Sequence, residues 1–179
     1  MVPPIKEKVS SSTLALLGAF CLFLSTIEYL IPKPLPFIRI GIANIPIMIA
    51  IDLFPFGSFV LLVLIKVLGQ AIITGSLFSY VFLFSLGGSA ASALSMYGFR
   101  RLIGNKNISF IGIGIIGAFV SNCIQIILAW IFIFGPSAKY IAPPLLLLGL
   151  VTGLLLGFFC QIFTEQSRWY TQQIQGIRP

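Results

Sequence analysis

Along most of the chain the apolar positions run on without the strict alternation of a half-buried strand or the spaced stripe of a soluble helix. Six such runs, at 12–31, 37–54, 56–74, 77–97, 108–134 and 143–163, are separated by short polar or proline-bearing breaks. About 20 apolar residues in a helix cross a hydrocarbon core of about 30 Å, and most of the runs reach that length. The pattern predicts an all-α polytopic membrane protein, with six transmembrane helices in one bundle and 1–179 as a single membrane domain. The first run stops at Pro32-Lys33-Pro34-Leu35-Pro36, which cannot continue a helix. It lacks a small-x-small cleavage site before polar sequence and is expected to be retained. The second run is short, carries Arg39, Asn44, Pro46 and Asp52, and ends at Pro55, so a kinked or partly re-entrant segment is expected. Beyond the last run, Trp169 and Tyr170 are placed as interfacial anchors.

Composition sharpens this picture. Hydrophobic residues make up 58% of the chain and charged residues 8%, against about 25% charged in a soluble domain; mean hydropathy is +1.08. A net charge of +7 would suggest nucleic acid in a soluble protein, but here the bases sit at the ends of the runs. With both termini cytoplasmic, Lys6, Lys8, Arg100, Arg101, Lys106, Arg168 and Arg178 lie inside and Lys33, Arg39 and Lys139 outside. The positive-inside rule selects that orientation in the cell membrane, taken here as a bacterial inner membrane, and no nucleic-acid partner is expected. Cys21, Cys123 and Cys160 all lie in apolar runs, which argues for buried thiols and against a disulfide framework or metal site. With no His and one Asp, no metal or other cofactor is expected.

Small residues recur every four positions in three of the runs: Ser11, Ala15 and Ala19; Gly87, Ala91 and Ser95; Gly149, Gly153 and Gly157. Each row makes a nearly straight groove that lets another helix approach. Packing within the bundle is expected for the last two, whereas the first row either packs there or docks another membrane protein.

The polar residues inside the runs are the candidate chemistry. A charge at mid-bilayer costs at least about 2.5 to 3.5 kcal/mol. Lys66 lies roughly 15 Å into its helix, with Gln70 one turn further on the same side. Asn122 and Gln125 share a face of the fifth helix, Asn44 lies in the outer half of the second, and Glu28 and Arg39 flank the first outer loop. Their shared placement in the outer half predicts an outward-facing polar pocket. Interhelical hydrogen bonds are the competing explanation for Asn44 and Gln125; for the deep Lys66 ammonium a pocket or ligand role is preferred. Glu28 and Arg39 are expected to pair across the loop. Asp52, near the inner face, is too far along the axis for a direct pair with Lys66, and Ser121 and Thr152 read as ordinary helix residues.

Several of these residues fall in short motifs. Gly41-Ile42-Ala43-Asn44 after the proline-rich loop, Lys66 before Leu68-Gly69, Ser85-Leu86-Gly87-Gly88, Asn122-x-x-Gln125 and Leu148-Gly149-Leu150-Val151-Thr152-Gly153 resemble the Gx transporter family. That family also carries the label heptaprenyl diphosphate synthase component I and is grouped with the substrate-binding S components of energy-coupling factor transporters. The resemblance covers about 14–163 and implies a six-helix subunit that captures a vitamin-like small molecule from outside. It also implies docking on a transmembrane coupling subunit driven by two ATPase subunits, through a small-residue row on the first helix that matches Ala15 and Ala19. The chain departs from the family in having Ser121 where a His often precedes the Asn, and Lys66 where Arg is common, which makes bidentate anion recognition less favoured.

The function expected is therefore substrate binding for small-molecule uptake, with membrane lipid as surroundings. Lys66, Gln70, Asn122 and Gln125 would hold the cargo, with Asn44 and Arg39 near the mouth. Two alternatives stay open: an accessory membrane component of heptaprenyl diphosphate synthesis, and a membrane-anchoring subunit without cargo. An enzyme acting alone on prenyl diphosphates is not expected, because no Asp-rich run is present to hold Mg²⁺. No Gly-x-x-x-x-Gly-Lys-Ser/Thr motif occurs, so any ATP-driven step belongs to partners.

Overall fold

The computed structural model describes residues 11–32, 40–104 and 107–175. It is helical throughout, with no strand among the described residues. Four stretches are long and apolar enough to cross a membrane: Ser11–Leu30, Phe56–Ile73, Tyr80–Ile103 and Phe110–Gln166. The first three are α1, α3 and α4. The fourth is not a single rod. Helix α5, Phe110–Ala129, runs into a π-helical turn at Trp130–Phe134 and a 3₁₀ turn at Gly135–Ser137, then into α6, Ala138–Gln166. Gly135 takes a positive φ of 52° at the break. Gly114 then meets Gly153, and Asn122 meets Leu145. Position numbers that rise on one helix and fall on the other mark an antiparallel hairpin.

Backbone contact holds that hairpin together. A Cβ built on Gly114 would lie 2.4 Å from the Gly153 carbonyl oxygen, and one on Gly157 would lie 2.6 Å from the Ile111 Cα. The row Gly149, Gly153 and Gly157 is buried along this seam, as the sequence predicts. Gly87 of the second row faces Ile124 and Leu128 of α5. The first row behaves differently: Ser11, Ala15 and Ala19 are exposed on α1, while the neighbouring Gly18 lies against Ile65 and Leu62 of α3.

The second expected span is short and broken where the structure describes it, in line with the kinked or partly re-entrant segment expected. Within its described part, 40–54, the helical portion is a 3₁₀ turn at Ile42–Asn44 followed by α2, Ile45–Ala50. Six residues rise about 9 Å, far less than a bilayer. Gly41, at φ 90°, starts the turn, and Pro46 occupies the first turn of α2, where no N–H is needed. The ladder continues past the helix, with the Phe54 N–H donating to the Ala50 carbonyl at 2.9 Å, and Pro55 ends it in extended backbone. Every residue from Ile45 to Ile51 is buried. A helix this short is stable in a membrane protein because protein, not lipid, surrounds it.

The remaining ends follow ordinary capping. Ser79 caps α4 and Ser109 caps α5 through their hydroxyls, and Gly104, at φ 87°, closes α4 after Arg100 and Arg101. Helix α6 begins five residues earlier than expected and carries Pro143 and Pro144 in its second turn. A short amphipathic helix, α7, Arg168–Gln175, follows α6. Its Tyr170 is 5% exposed, so it is buried against the bundle where an interfacial anchor was expected. Cys21, Cys123 and Cys160 are unpaired thiols.

The glycine seam gives a direct test. Gly114→Ala must push the α5 and α6 backbones apart, and overpacking of that kind costs about 1–3 kcal/mol. Gly98→Ala on α4, where a Cβ meets nothing within 4 Å, should leave the thermal midpoint in detergent unchanged or raised. A Gly114→Ala midpoint equal to that of Gly98→Ala would refute the seam.

Candidate functional site

Lys66 is the eleventh residue of α3 and is 3% exposed. Its ammonium donates to the Asn44 side-chain oxygen at 2.5 Å and to the Ser89 hydroxyl of α4 at 3.2 Å. The end of the 3₁₀ turn therefore meets the middle of two long helices at one cation. Beside it is a cavity of about 30 Å³, room for about two water molecules. Its walls come from α1 (Glu28), the Ile40–Asn44 segment, α2 (Met48), α3 (Lys66), α4 (Ser89, Ser92, Met96), α5 (Gly114, Gly117, Ala118, Ser121, Asn122) and α6 (Gly149, Thr152, Gly153, Leu156).

Of the residues predicted from sequence, Lys66, Asn44 and Asn122 meet at this cavity. Asn122 donates to the Leu145 carbonyl at 2.8 Å, the interhelical bond that packing alone would produce. Gly149 makes it possible, since a Cβ there would lie 1.7 Å from the Asn122 amide nitrogen. Gln70 and Gln125 are buried but stand outside the cavity lining. Gln125 donates to the Ser121 hydroxyl at 3.2 Å, and its side-chain oxygen has no hydrogen-bond partner among the described residues. Arg39 lies outside the described residues, and with it the expected Glu28–Arg39 pair.

Several lining residues carry more than their sequence positions suggested. Glu28, 2% exposed, accepts from the backbone N–H groups of Ile40 at 2.9 Å, Gly41 at 3.1 Å and Ala43 at 3.3 Å. Ser85, Ser89 and Ser92 are buried on α4. Their spacing of four and three residues puts all three on one face, a signal readable from the sequence. The Ser92 hydroxyl lines the cavity without a hydrogen-bond partner among the described residues. A buried hydroxyl left so costs about 1–3 kcal/mol, which a polar guest in the cavity would recover. Ser121 and Thr152, ordinary by sequence, also face the cavity.

A second polar cluster lies away from the cavity. The Arg100 guanidinium forks onto Asp52, Nε to Oδ1 at 3.0 Å and Nη2 to Oδ2 at 2.6 Å. It also donates to the Ile108 carbonyl and covers the Phe110 ring at 4.6 Å. The Tyr170 hydroxyl of α7 donates to Asp52 Oδ2 at 3.2 Å. Burial, and then the Asp52 carboxylate, push the Tyr170 phenol well above its ordinary range, so it stays a donor at neutral pH. Arg101 reaches the Ile51 and Phe54 carbonyls. This cluster ties the end of α2 to α4, α5 and α7, with Asp52 paired to Arg100 and apart from Lys66, in line with the sequence argument.

A family model described as heptaprenyl diphosphate synthase component I matches residues 17–163. No curated protein matches the chain, and no solved structure does.

Removing one partner of a buried ion pair costs about 3–5 kcal/mol because the other charge is stranded. Asp52→Asn should therefore lower the unfolding midpoint strongly, and Tyr170→Phe should cost about 1 kcal/mol, one neutral hydrogen bond. Equal midpoints for the two variants in a thermal melt would show that the ion pair is not the cluster's main tie.

Proposed function

The chain belongs to the heptaprenyl diphosphate synthase component I family, and on that premise we propose that it is the substrate-binding membrane subunit of a small-molecule uptake transporter, similar to the S components of energy-coupling factor systems. The observation that carries this reading is the polar cavity at Lys66. Six helices and the 40–44 segment converge on it, yet it holds a cation, amides and hydroxyls where an apolar core would be more stable. Lys66 would neutralise an acidic or carbonyl-bearing group of the cargo, with Asn44, Asn122, Ser89 and Ser92 supplying donors and acceptors. Gln70 and Gln125, buried but outside the lining, would support the site, and the sequence argument assigns Arg39 to its mouth. Small-molecule pockets usually enclose about 300–1,000 Å³, so the reading requires this cavity to widen when cargo binds.

The exposed Ala15 and Ala19 on α1 support docking on a transmembrane coupling subunit, with two ATPase subunits beyond it. The charge pattern supports both termini on the cytoplasmic side.

The family's description favours a second reading, an accessory membrane component of heptaprenyl diphosphate synthesis. Such a role needs a separate catalytic subunit. Diphosphate is held through Mg²⁺ on clustered carboxylates, whereas Asp52 is bound to Arg100 and Glu28 to three backbone amides. An increase in prenyl diphosphate output when the chain is added to that subunit would favour this second role.

The carrier reading is tested by solvent extraction and mass spectrometry of the chain purified in lipid nanodiscs. The wild type should release a small molecule near one equivalent. Lys66→Met should release about tenfold less, the equivalent of about 1.4 kcal/mol, with its thermal midpoint little changed. Equal release from both would remove Lys66 from the site.

A further inference from the structure

Widening the cavity requires one of its walls to move. The α5 and α6 walls meet backbone to backbone. The α3 and α4 walls are mid-helix residues, buried on both sides of the cavity. The 40–44 segment alone among the walls is neither part of a long helix nor fully buried: Ile40, Gly41 and Asn44 are partly exposed. It is one turn of chain, whose described side-chain ties to the long helices are the Glu28 carboxylate, which takes its backbone, and the Lys66 ammonium, which takes Asn44.

We propose that Glu28 is the positioning residue of the cavity: it folds Ile40–Asn44 into a rim closed over Lys66, and this rim is what swings aside to admit cargo. The purpose rests on the carrier reading; the closure itself does not.

Three backbone N–H groups converge on the two Glu28 oxygens within 3.3 Å. Hydrogen bonds to an ionised acceptor are roughly twice as strong as neutral ones, and a buried carboxylate without them is costly. Each side therefore needs the other. Convergence of successive N–H groups on one anion requires a left-handed residue among them, and Gly41 supplies it at φ 90°. The same turn delivers Asn44 to the Lys66 ammonium. Glutamine in place of Glu28 would keep the shape but turn one acceptor into a donor. Either the Ala43 amide or the Ile40 and Gly41 amides would then face a donor.

The test uses the full chain in nanodiscs, labelled with acetic anhydride and mapped by peptide mass spectrometry, alongside amide hydrogen exchange. In the wild type, Lys66 should label slowly and the exposed Lys139 quickly. Glu28→Gln should raise Lys66 labelling about tenfold and exchange at Ile40, Gly41 and Ala43 by a similar factor. Lys139 labelling and exchange along the α5–α6 seam should stay at wild-type values, which general loosening of the fold would not allow. Gly41→Ala approaches the rim from the other side. A Cβ there meets nothing closer than 3.4 Å, so the substitution strains only the backbone angle, and it should unmask Lys66 as well. Wild-type protection of Lys66 in either variant overturns the proposal, as does exchange that rises equally along the seam. The labelling pattern in a chain that releases no cargo would keep the rim and discard the carrier; cargo release without the pattern would do the reverse.

Discussion

Lipid offers no hydrogen bonds, so every polar group placed at depth must find its partner within the protein. The segment between α1 and α3 is where that constraint acts hardest. It carries a short helix that cannot span the bilayer, yet Ile47, Ala50 and Ile51 in it are fully enclosed. Such a segment is held only if both of its ends are fixed. Glu28 gathers the backbone amides at its start, and Arg100 takes Asp52 at its finish. Between those anchors, Asn44 reaches Lys66 and the remaining side chains fill the centre of the bundle. The cavity lies where this inserted piece begins, at a turn that carries Asn44 in place of a through-going apolar helix.

The two anchors differ in kind. The Arg100–Asp52 contact is a bidentate ion pair with a ring beneath it and a tyrosine above, and four elements share it. Glu28 takes the backbone N–H groups of a stretch that is one turn long and partly exposed. The first arrangement resists motion, since any displacement strands a charge. The second involves few groups and little buried apolar area, which is where local opening is least costly. The carrier reading asks for both, a fixed end against which to move and a light end that moves.

Much of this was legible in the sequence, for physical reasons. Long apolar runs forced the helical membrane architecture, and glycine at every fourth position of α6 foretold its seam. Lys66 and Asn44 stood out because polarity at such depth is costly, although a separation of 22 positions gave no sign that they touch. The second run was legible as short and broken, but not its full enclosure, because a helix surrounded by protein and one facing lipid have the same composition. The hold of Glu28 on Ile40, Gly41 and Ala43 was not legible, because these partners are main-chain amides that every sequence possesses. Tyr170 was placed at the interface because a phenol needs a polar neighbour, and sequence cannot say whether that neighbour is water or Asp52. The serines at 85, 89 and 92 were readable by helical spacing, but a hydroxyl can satisfy itself on its own helix and so gives a faint signal.

The α5–α6 contact has a further consequence for how the chain tolerates change. Where two helices touch through main chain, no rotamer is left to take up a misfit. The inner line of Gly114, Gly153 and Gly157 therefore admits almost no substitution. On the far side of α6, Leu147, Leu150, Leu154 and Phe158 are exposed and ask only to be oily. Related chains should thus drift freely around one half of this helix while the other half stays fixed, so that variation plotted around its axis would draw the hidden contact without any coordinates.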